Sequence, residues 1–270
     1  MKLRRLGFIK IIICLVKEHL KSFFDLNKRI DDQRYYINLD DDFKIKIRPK
    51  KKSCVGDIDI LKEVLIDDCY RVNSLIQPTS IVVDIGGHIG IFSLLAARIA
   101  CWGHIYTFEP ETNNYNLLVE NIKINHFSNI TPFNKGVIGS NKTRSRLYLS
   151  NCNTGAHSIV NIEEKYIEIE TISLKRFMDS VYSGIIDVLK IDCEGGEYEL
   201  LLNLPLSYFE RIKKITIEQH ITPIIEQKYD PMTIFNLLLS NKYSVEIVSK
   251  KKIKKEGVFW IINGKRTDIN

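Results

Sequence analysis

At 270 residues, 44% apolar and 27% charged, the chain suits one large domain or two small ones, and its composition excludes a disordered, collagen-like or coiled-coil protein. The net charge of +6 is unevenly spread: residues 1–52 hold fifteen Lys and Arg against seven Asp and Glu, a net of +8, and residues 249–270 hold seven against two, a net of +5. The stretch between them holds seventeen against twenty-four, a net of −7, so an acidic body carries basic ends. That distribution argues against a nucleic-acid channel through the core, where phosphates need basic surface, and leaves a basic arm open to an anionic partner.

The first 24 residues, MKLRRLGFIKIIICLVKEHLKSFF, read as a helix with Lys10, Lys17, Lys21 and Lys28 on one stripe of a mostly apolar surface. The longest apolar run, Ile11–Val16, is far short of the roughly 20 residues a spanning helix needs. No small-residue cleavage site follows Val16, as a signal peptide would require. Two readings stay open: a helix packed on its own domain, and an interfacial helix giving peripheral membrane contact through residues 1–30. Residues 1–52 are taken as a basic N-terminal extension and 53–270 as the main domain. The six cysteines include no pair at the two-residue gap of a zinc knuckle or redox motif. No metal is expected, and a reduced, cytoplasmic setting is, at the inner membrane surface if the helix docks there. Nothing in the sequence speaks to oligomeric state.

Downstream, two short strands are expected over 35–48 around Asp40-Asp41-Asp42, then a helix over 57–70. Strands and helices then alternate. Ile81–Asp84 is a strand, Ile91–Ala100 a helix, Ile105–Phe108 a strand, Asn113–Asn125 a helix and Ile130–Phe133 a strand. Residues 138–170 read as an insert of strands and loops that shapes the acceptor site. Leu174–Val181 is helical, Ile185–Ile191 a strongly apolar strand, and a helix runs from Glu197 to Leu204. Ile215–Glu218 is a strand and Pro231–Ser240 a helix. Tyr243–Val248 and Val258–Ile262 form a closing hairpin linked by the lysine-rich segment 250–255. The expected fold is α/β: a mostly parallel sheet with helices on both faces and one antiparallel edge hairpin.

Ligands of such sheets bind at the carboxyl ends of the strands. The first of the alternating strands ends in Asp84-Ile85-Gly86-Gly87-His88-Ile89-Gly90 directly before a helix, a turn that suits a nucleotide-type ligand. A dinucleotide fingerprint counted from Gly86 needs glycine at 88 and 91, where His88 and Ile91 stand, so that fingerprint fails. The next strand ends at Glu109, 25 residues after Asp84, where a carboxylate can accept both ribose hydroxyls of an adenosine ligand, in NAD or S-adenosylmethionine alike. The segment Asp187-Val188-Leu189-Lys190-Ile191-Asp192-Cys193-Glu194-Gly195-Gly196-Glu197 delivers Asp192 and Glu194 to the same edge; Glu197 reads as an acid favouring the first helical turn. A later strand ends in Glu218-Gln219-His220, and His220 is a candidate general base. His157, in Gly155-Ala156-His157-Ser158, is a weaker candidate.

The strings VVDIGGHIGIFSLLAA, YTFEPETNNYNLLVENIKIN, ETISLKRF and DVLKIDCEGGEYELL, followed by ITIEQH, resemble the FkbM family of S-adenosylmethionine-dependent methyltransferases over about residues 57–220. The resemblance implies the Rossmann-like, seven-stranded class I methyltransferase sheet. It implies that Asp84, Gly86, Gly87 and Gly90 hold the methionine part of the cofactor and Glu109 the ribose, and that Asn134 and Val137 lie near the adenine. It places Asp192 and Glu194 beside the transferring methyl group and the acceptor. This chain has Gly87-His88 where the family often shows Ala-Asn, and Cys193 where Val or Ile is common.

The expected activity is transfer of a methyl group to a hydroxyl on a sugar, glycan or lipid-linked glycan, with Glu194, Asp192 or His220 taking the proton. The Asn/Asp-Pro-Pro-aromatic signature of nucleic-acid amino-methylation is absent after the Asp192 strand, so a small-molecule or glycan partner is expected rather than nucleic acid. Two alternatives stand beside this reading: an NAD-type oxidoreductase, and a non-enzymatic scaffold that docks through its basic ends.

Overall fold

The computed structural model describes residues 35–40, 42–49, 56–150, 155, 157–158, 165–253 and 257–268; the helix expected over residues 1–24 lies outside them. Strands β1 (Tyr35–Asp40) and β2 (Phe43–Ile47) pair as the antiparallel hairpin the alternation foretold. Period-2 alternation buries Ile37, Leu39, Phe43, Ile45 and Ile47 on one face. Helices α1 (Asp57–Leu65) and α2 (Val72–Leu75) follow.

Next come β3 (Ile81–Ile85), α3 (Ile91–Ile99), β4 (His104–Phe108), α4 (Thr112–Ile124) and β5 (Ile130–Phe133), each within a residue or so of expectation. The insert supplies β6 (Gly136–Ile138), β7 (Arg144–Tyr148) and β8 (Tyr166–Ser173), a small separate sheet in the order β6-β8-β7. The remaining elements are α5 (Leu174–Ser180), β9 (Ile186–Ile191), α6 (Glu197–Leu202), α7 (Leu206–Phe209), β10 (Ile212–Ile221), α8 (Pro223–Glu226), α9 (Thr233–Ser240), β11 (Tyr243–Ile253) and β12 (Gly257–Arg266).

The central sheet has seven strands in the order β11-β12-β10-β9-β3-β4-β5. Strands β5, β4, β3, β9 and β10 are mutually parallel, whereas β12 runs antiparallel to both β10 and β11. This is the class I methyltransferase arrangement, with its antiparallel pair at one edge. The strand order reverses between β3 and β9, and their carboxyl ends open the crevice in which such sheets hold ligands.

Three expectations need correction. The helix expected over 57–70 stops at Leu65, where the chain turns. Residues 250–253 are not a linker but the end of β11, because Lys250, Lys251, Lys252 and Ile253 keep register with Trp260, Phe259, Val258 and Gly257. Strand β10 is also longer than its apolar run, since β9 and β12 pair with it on its two sides.

Apolar residues on alternate positions split into two cores. Val82 and Val188 face the one shared with the hairpin, α1, α3 and α4, whereas Val83, Leu189 and Ile191 face the one under α5, α6 and α9. The hairpin is tied to the first side by Asn121 of α4. Its side chain accepts from the Lys46 amide at 2.7 Å and donates to the Lys46 and Ile89 carbonyls at 3.1 and 2.9 Å. No helix among the described residues is long and apolar enough to cross a membrane.

Candidate active site

The carboxyl ends of β3, β4, β9 and β10 enclose a cleft of about 250 Å³. The loop after β3 shapes its floor. Gly86 takes φ +82 and packs so tightly that a Cβ there would sit 1.8 Å from the Asp192 carbonyl oxygen, so only glycine fits. The Gly86 and Gly87 amides donate to the Phe108 carbonyl at 3.0 and 2.9 Å, which pulls the loop against the end of β4.

Asp84 is fully buried beneath this loop. Its Oδ2 accepts from the Ser93 hydroxyl at 2.6 Å, and Lys190 Nζ stands 3.2 Å from its Oδ1. Burial pushes the Asp84 carboxyl above its usual range, with Lys190 opposing. Lys190, the next-to-last residue of β9, is itself buried. It donates to the Gly86 carbonyl at 2.8 Å, lies 3.4 Å from Asp192 Oδ2, and faces the rings of Tyr70 and Phe92. Burial works against its charge, but Asp84 and Asp192 hold its pKa well above the ordinary lysine value.

Glu109 lies on the cleft wall at the end of β4. Its Oε2 accepts from the His88 amide at 2.8 Å and its Oε1 from the Glu111 amide at 2.9 Å. Burial lifts its carboxyl to about 7 against those bonds. Val137 is a cleft wall, next to Phe108 and Pro110. Asn134 is not among the lining residues: its amide donates to the Glu109 and Pro110 carbonyls at 2.9 and 3.0 Å and braces the loop from behind. Gly90 likewise serves the turn, at φ +93 against Leu118 of α4.

On the opposite side, Asp192, Glu194, Glu218 and His220 line the same cleft. Tyr70 reaches in from the segment after α1 and sits 3.0 Å from Asp192 Oδ2 and 2.7 Å from Glu218 Oε2. Glu194 adopts φ +52, a left-handed turn that brings its Oε2 to 3.1 Å from His220 Nε2. The other ring nitrogen, Nδ1, lies 3.1 Å from Glu197 Oε1. That oxygen of Glu197 also accepts from the Cys193 and Gly195 amides, at 3.2 and 3.0 Å.

Glu197 is therefore more than a first-turn acid, since it is fully buried and fixes both the loop and the ring. Burial would lower the His220 pKa, but Glu194, Glu197 and Glu218 raise it well above 6.5. These carboxylates favour the charged ring, in which both nitrogens donate. Burial raises the Glu194 carboxyl to about 8 and the Glu218 carboxyl to about 7, with Asp192 adding to both and His220 opposing. Asp192, Glu218 and His220 offer ligand atoms within 4.8 Å of one another, and Lys190 and Tyr70 reach the same carboxylates. His157 also lines the cleft, with its Nδ1 accepting from the Ser150 amide at 3.1 Å.

The methyltransferase FkbM domain model matches residues 84–245, more than half of the chain. The chain belongs to the FkbM methyltransferase family. It is 25% identical to Methyltransferase 1 of Beauveria bassiana (strain ARSEF 2860) over 236 residues, covering 78% of this chain and 90% of that protein. It is 27% identical to Methyltransferase sdnD of Sordaria araneosa over 191 residues, covering 59% and 73%. Among solved structures, it superposes on M. jannaschii TYW2 in complex with AdoMet with a TM-score of 0.47 and 15% identity, covering 88% of this chain and 87% of that one. The FkbM enzyme is an S-adenosylmethionine-dependent methyltransferase. The residues present fit that cofactor: a loop where a Cβ would collide with backbone, a buried carboxylate able to accept hydroxyls, and apolar walls beside it.

Tyr70, Lys190, Glu197 and Glu218 were not singled out as site residues in the sequence. The signal for Lys190 is a cation within the apolar run Val188-Leu189-Lys190-Ile191, which must find partners once buried. Replacing Lys190 by Met strands Asp84 and Asp192 without their cation and is expected to cost about 3–5 kcal/mol in chemical denaturation at neutral pH. The loss is expected to shrink at acid pH, where the carboxyls can take protons instead, and Asp84→Asn in the same background should recover part of it.

Proposed function

We propose that the chain methylates a hydroxyl of a sugar, glycan or lipid-linked glycan, with Glu194 as the base. The observation that carries this reading is the Glu194–His220 pair on the cleft wall, across from the glycine loop. In it Glu194 Oε2 is held by the imidazolium and Oε1 has no partner among the described residues. A hydroxyl acceptor needs a proton removed, and a carboxylate with raised basicity at that spot removes it; such a base is typically worth ~10²–10⁴-fold. In this reading His220 is a positioning cation rather than the base, because the carboxylates at both its nitrogens favour the charged ring. Several carboxylates on one wall suit a polyhydroxylated acceptor and repel a phosphate-rich one, consistent with the acidic body.

Asp84 and the loop Gly86-Gly87-Gly90 would hold the methionine end of the cofactor, Glu109 the ribose, and Val137 the adenine, with Asn134 bracing the Glu109 loop. The cofactor supplies a methyl group already activated on a sulfonium. The chain's own task is then alignment, where effective molarities reach ~10⁵–10⁸ M, and proton removal. Asp192, anchored by Lys190 and Tyr70, orients the acceptor beside Glu194.

Three outcomes are expected. With labelled cofactor and fractionated cell extract, label enters the glycan or lipid-linked glycan fraction; label confined to protein or RNA would overturn the acceptor class. With an acceptor in hand, kcat/KM rises with pH through about 8 as Glu194 loses its proton. Glu194→Gln should remove that limb and lower kcat roughly 10²–10⁴-fold. Calorimetry of S-adenosylhomocysteine binding near pH 6.5, run in two buffers of different ionisation enthalpy, should show proton release. Ribose hydroxyls donating to Glu109 favour its charged form and bring its carboxyl down from about 7. Glu109→Gln should bind more weakly with no release.

A further inference from the structure

Arg48 stands just beyond β2, upstream of the family match, yet it reaches the glycine loop. Its backbone amide and Nε donate to Asp57 Oδ2 at 2.7 and 3.0 Å, and its Nη2 donates to Asp57 Oδ1 at 2.7 Å. This two-pronged pairing, on a carboxylate only 1% exposed at the start of α1, fixes the guanidinium plane. The same Nη2 lies 3.1 Å from His88 Nε2. A guanidinium has donors and no acceptor, so Nε2 must present its lone pair and the ring proton sits on Nδ1.

His88 occupies the middle of the glycine loop at φ +49, a conformation that a residue with a Cβ keeps only when its surroundings hold it. In that conformation its amide donates to Glu109 Oε2 at 2.8 Å. A continuous chain of bonds therefore runs from Asp57 through Arg48 and the His88 ring and backbone to the Glu109 carboxylate.

We propose that Arg48 is a positioning residue for the cofactor, holding the glycine loop and Glu109 in place through the His88 ring, so that the hairpin ahead of the family match is part of the cofactor site. The proposal rests on the assignment of Gly86–Gly90 and Glu109 to the cofactor. The charged and titratable groups around the ring are Asp57 of α1, Arg48 after β2, His157 of the insert, Asp192 after β9 and Glu109 after β4. Burial, Arg48 and His157 lower the His88 pKa and Asp57 and Asp192 raise it, leaving it at about 4. Without Arg48, Asp57 Oδ1, already 3.5 Å from Nε2, would draw a proton onto that nitrogen. The ring would then become a cation donating to Asp57, and its link to the loop would change.

The test uses the full chain and Arg48→Met, with Arg48→Lys as a second variant in case the first folds poorly. Arg48→Met is expected to weaken S-adenosylhomocysteine binding about tenfold, the scale of one lost charge-assisted hydrogen bond, and to raise KM for S-adenosylmethionine with little change in kcat. The His88 ring resonances, assigned by comparison with His88→Asn, should titrate at a clearly higher pH in Arg48→Met than in the parent. Arg48→Lys should restore the low titration more than the affinity, since an ammonium keeps the charge without the fork. In the His88→Asn background, Arg48→Met should add much less than it does alone. Lower thermal stability with unchanged affinity and unchanged His88 titration would overturn the proposal, and so would strictly additive effects. Weak binding in Glu109→Gln with normal binding in Arg48→Met would sink the positioning role and leave the cofactor site standing. Normal binding in both would sink the site assignment itself.

Discussion

The ammonium group of Lys190 is the point on which the two halves of the site depend. It sits among Asp84 under the glycine loop, Asp192 just beyond β9 and the Gly86 carbonyl between them. Taking a lysine out of water is costly, and the cost is met here only because two carboxylates and a carbonyl converge on it. The arrangement also explains why Asp84 can be wholly buried and why Gly86 must lack a side chain. The β3 loop and the β9 end have to approach within backbone distance for one cation to serve both.

Around His220 the balance is reversed. Three carboxylates approach one imidazole, and a fourth, Asp192, shares Tyr70 with Glu218. Such crowding cannot be fully ionised in a buried space, so the protons are shared over the cluster and the carboxyls of Glu194 and Glu218 rise toward neutrality. In a cluster built this way the basicity of each carboxyl is set by its neighbours rather than by its own chemistry. Glu197 is central to that setting: it ties the Cys193–Gly195 turn to the ring and so fixes where Glu194 can point.

Much of this was legible in the sequence. The alternation of strands and helices located the sheet, and Asp84, Glu109, Asp192 and Glu194 lie at strand ends because parallel sheets present ligands there. What was not legible depends on pairs far apart in the chain. Glu197 looked like a helix-start acid because its partner His220 comes a strand later. His220 looked like a free base because Glu194 and Glu197, two of its three carboxylate partners, come from the segment just after β9, a strand earlier in the chain. Tyr70 and Arg48 carry no local motif at all, and their meaning appears only when the segments before the glycine loop fold back onto it. Asn134 was placed near adenine by position, yet its amide finds a nearer use in two backbone carbonyls. The −7 of the middle stretch has a concrete location in part, in the carboxylates of the cleft.

Strand β12 sits between β10 and β11, although β11 precedes it in the chain. On a ribosome that order matters. The cofactor half, β3 to β5, can close soon after it emerges, whereas β10, which carries Glu218 and His220, keeps an open edge until residues 257–266 arrive and slot in beside it. Until then β11 has no strand to lean on, and the acidic wall has only one flank. Vectorial synthesis would therefore complete the glycine-loop side first and the Glu218–His220 side last, with an unpaired strand edge exposed in the interval to any passing chaperone or wrong partner.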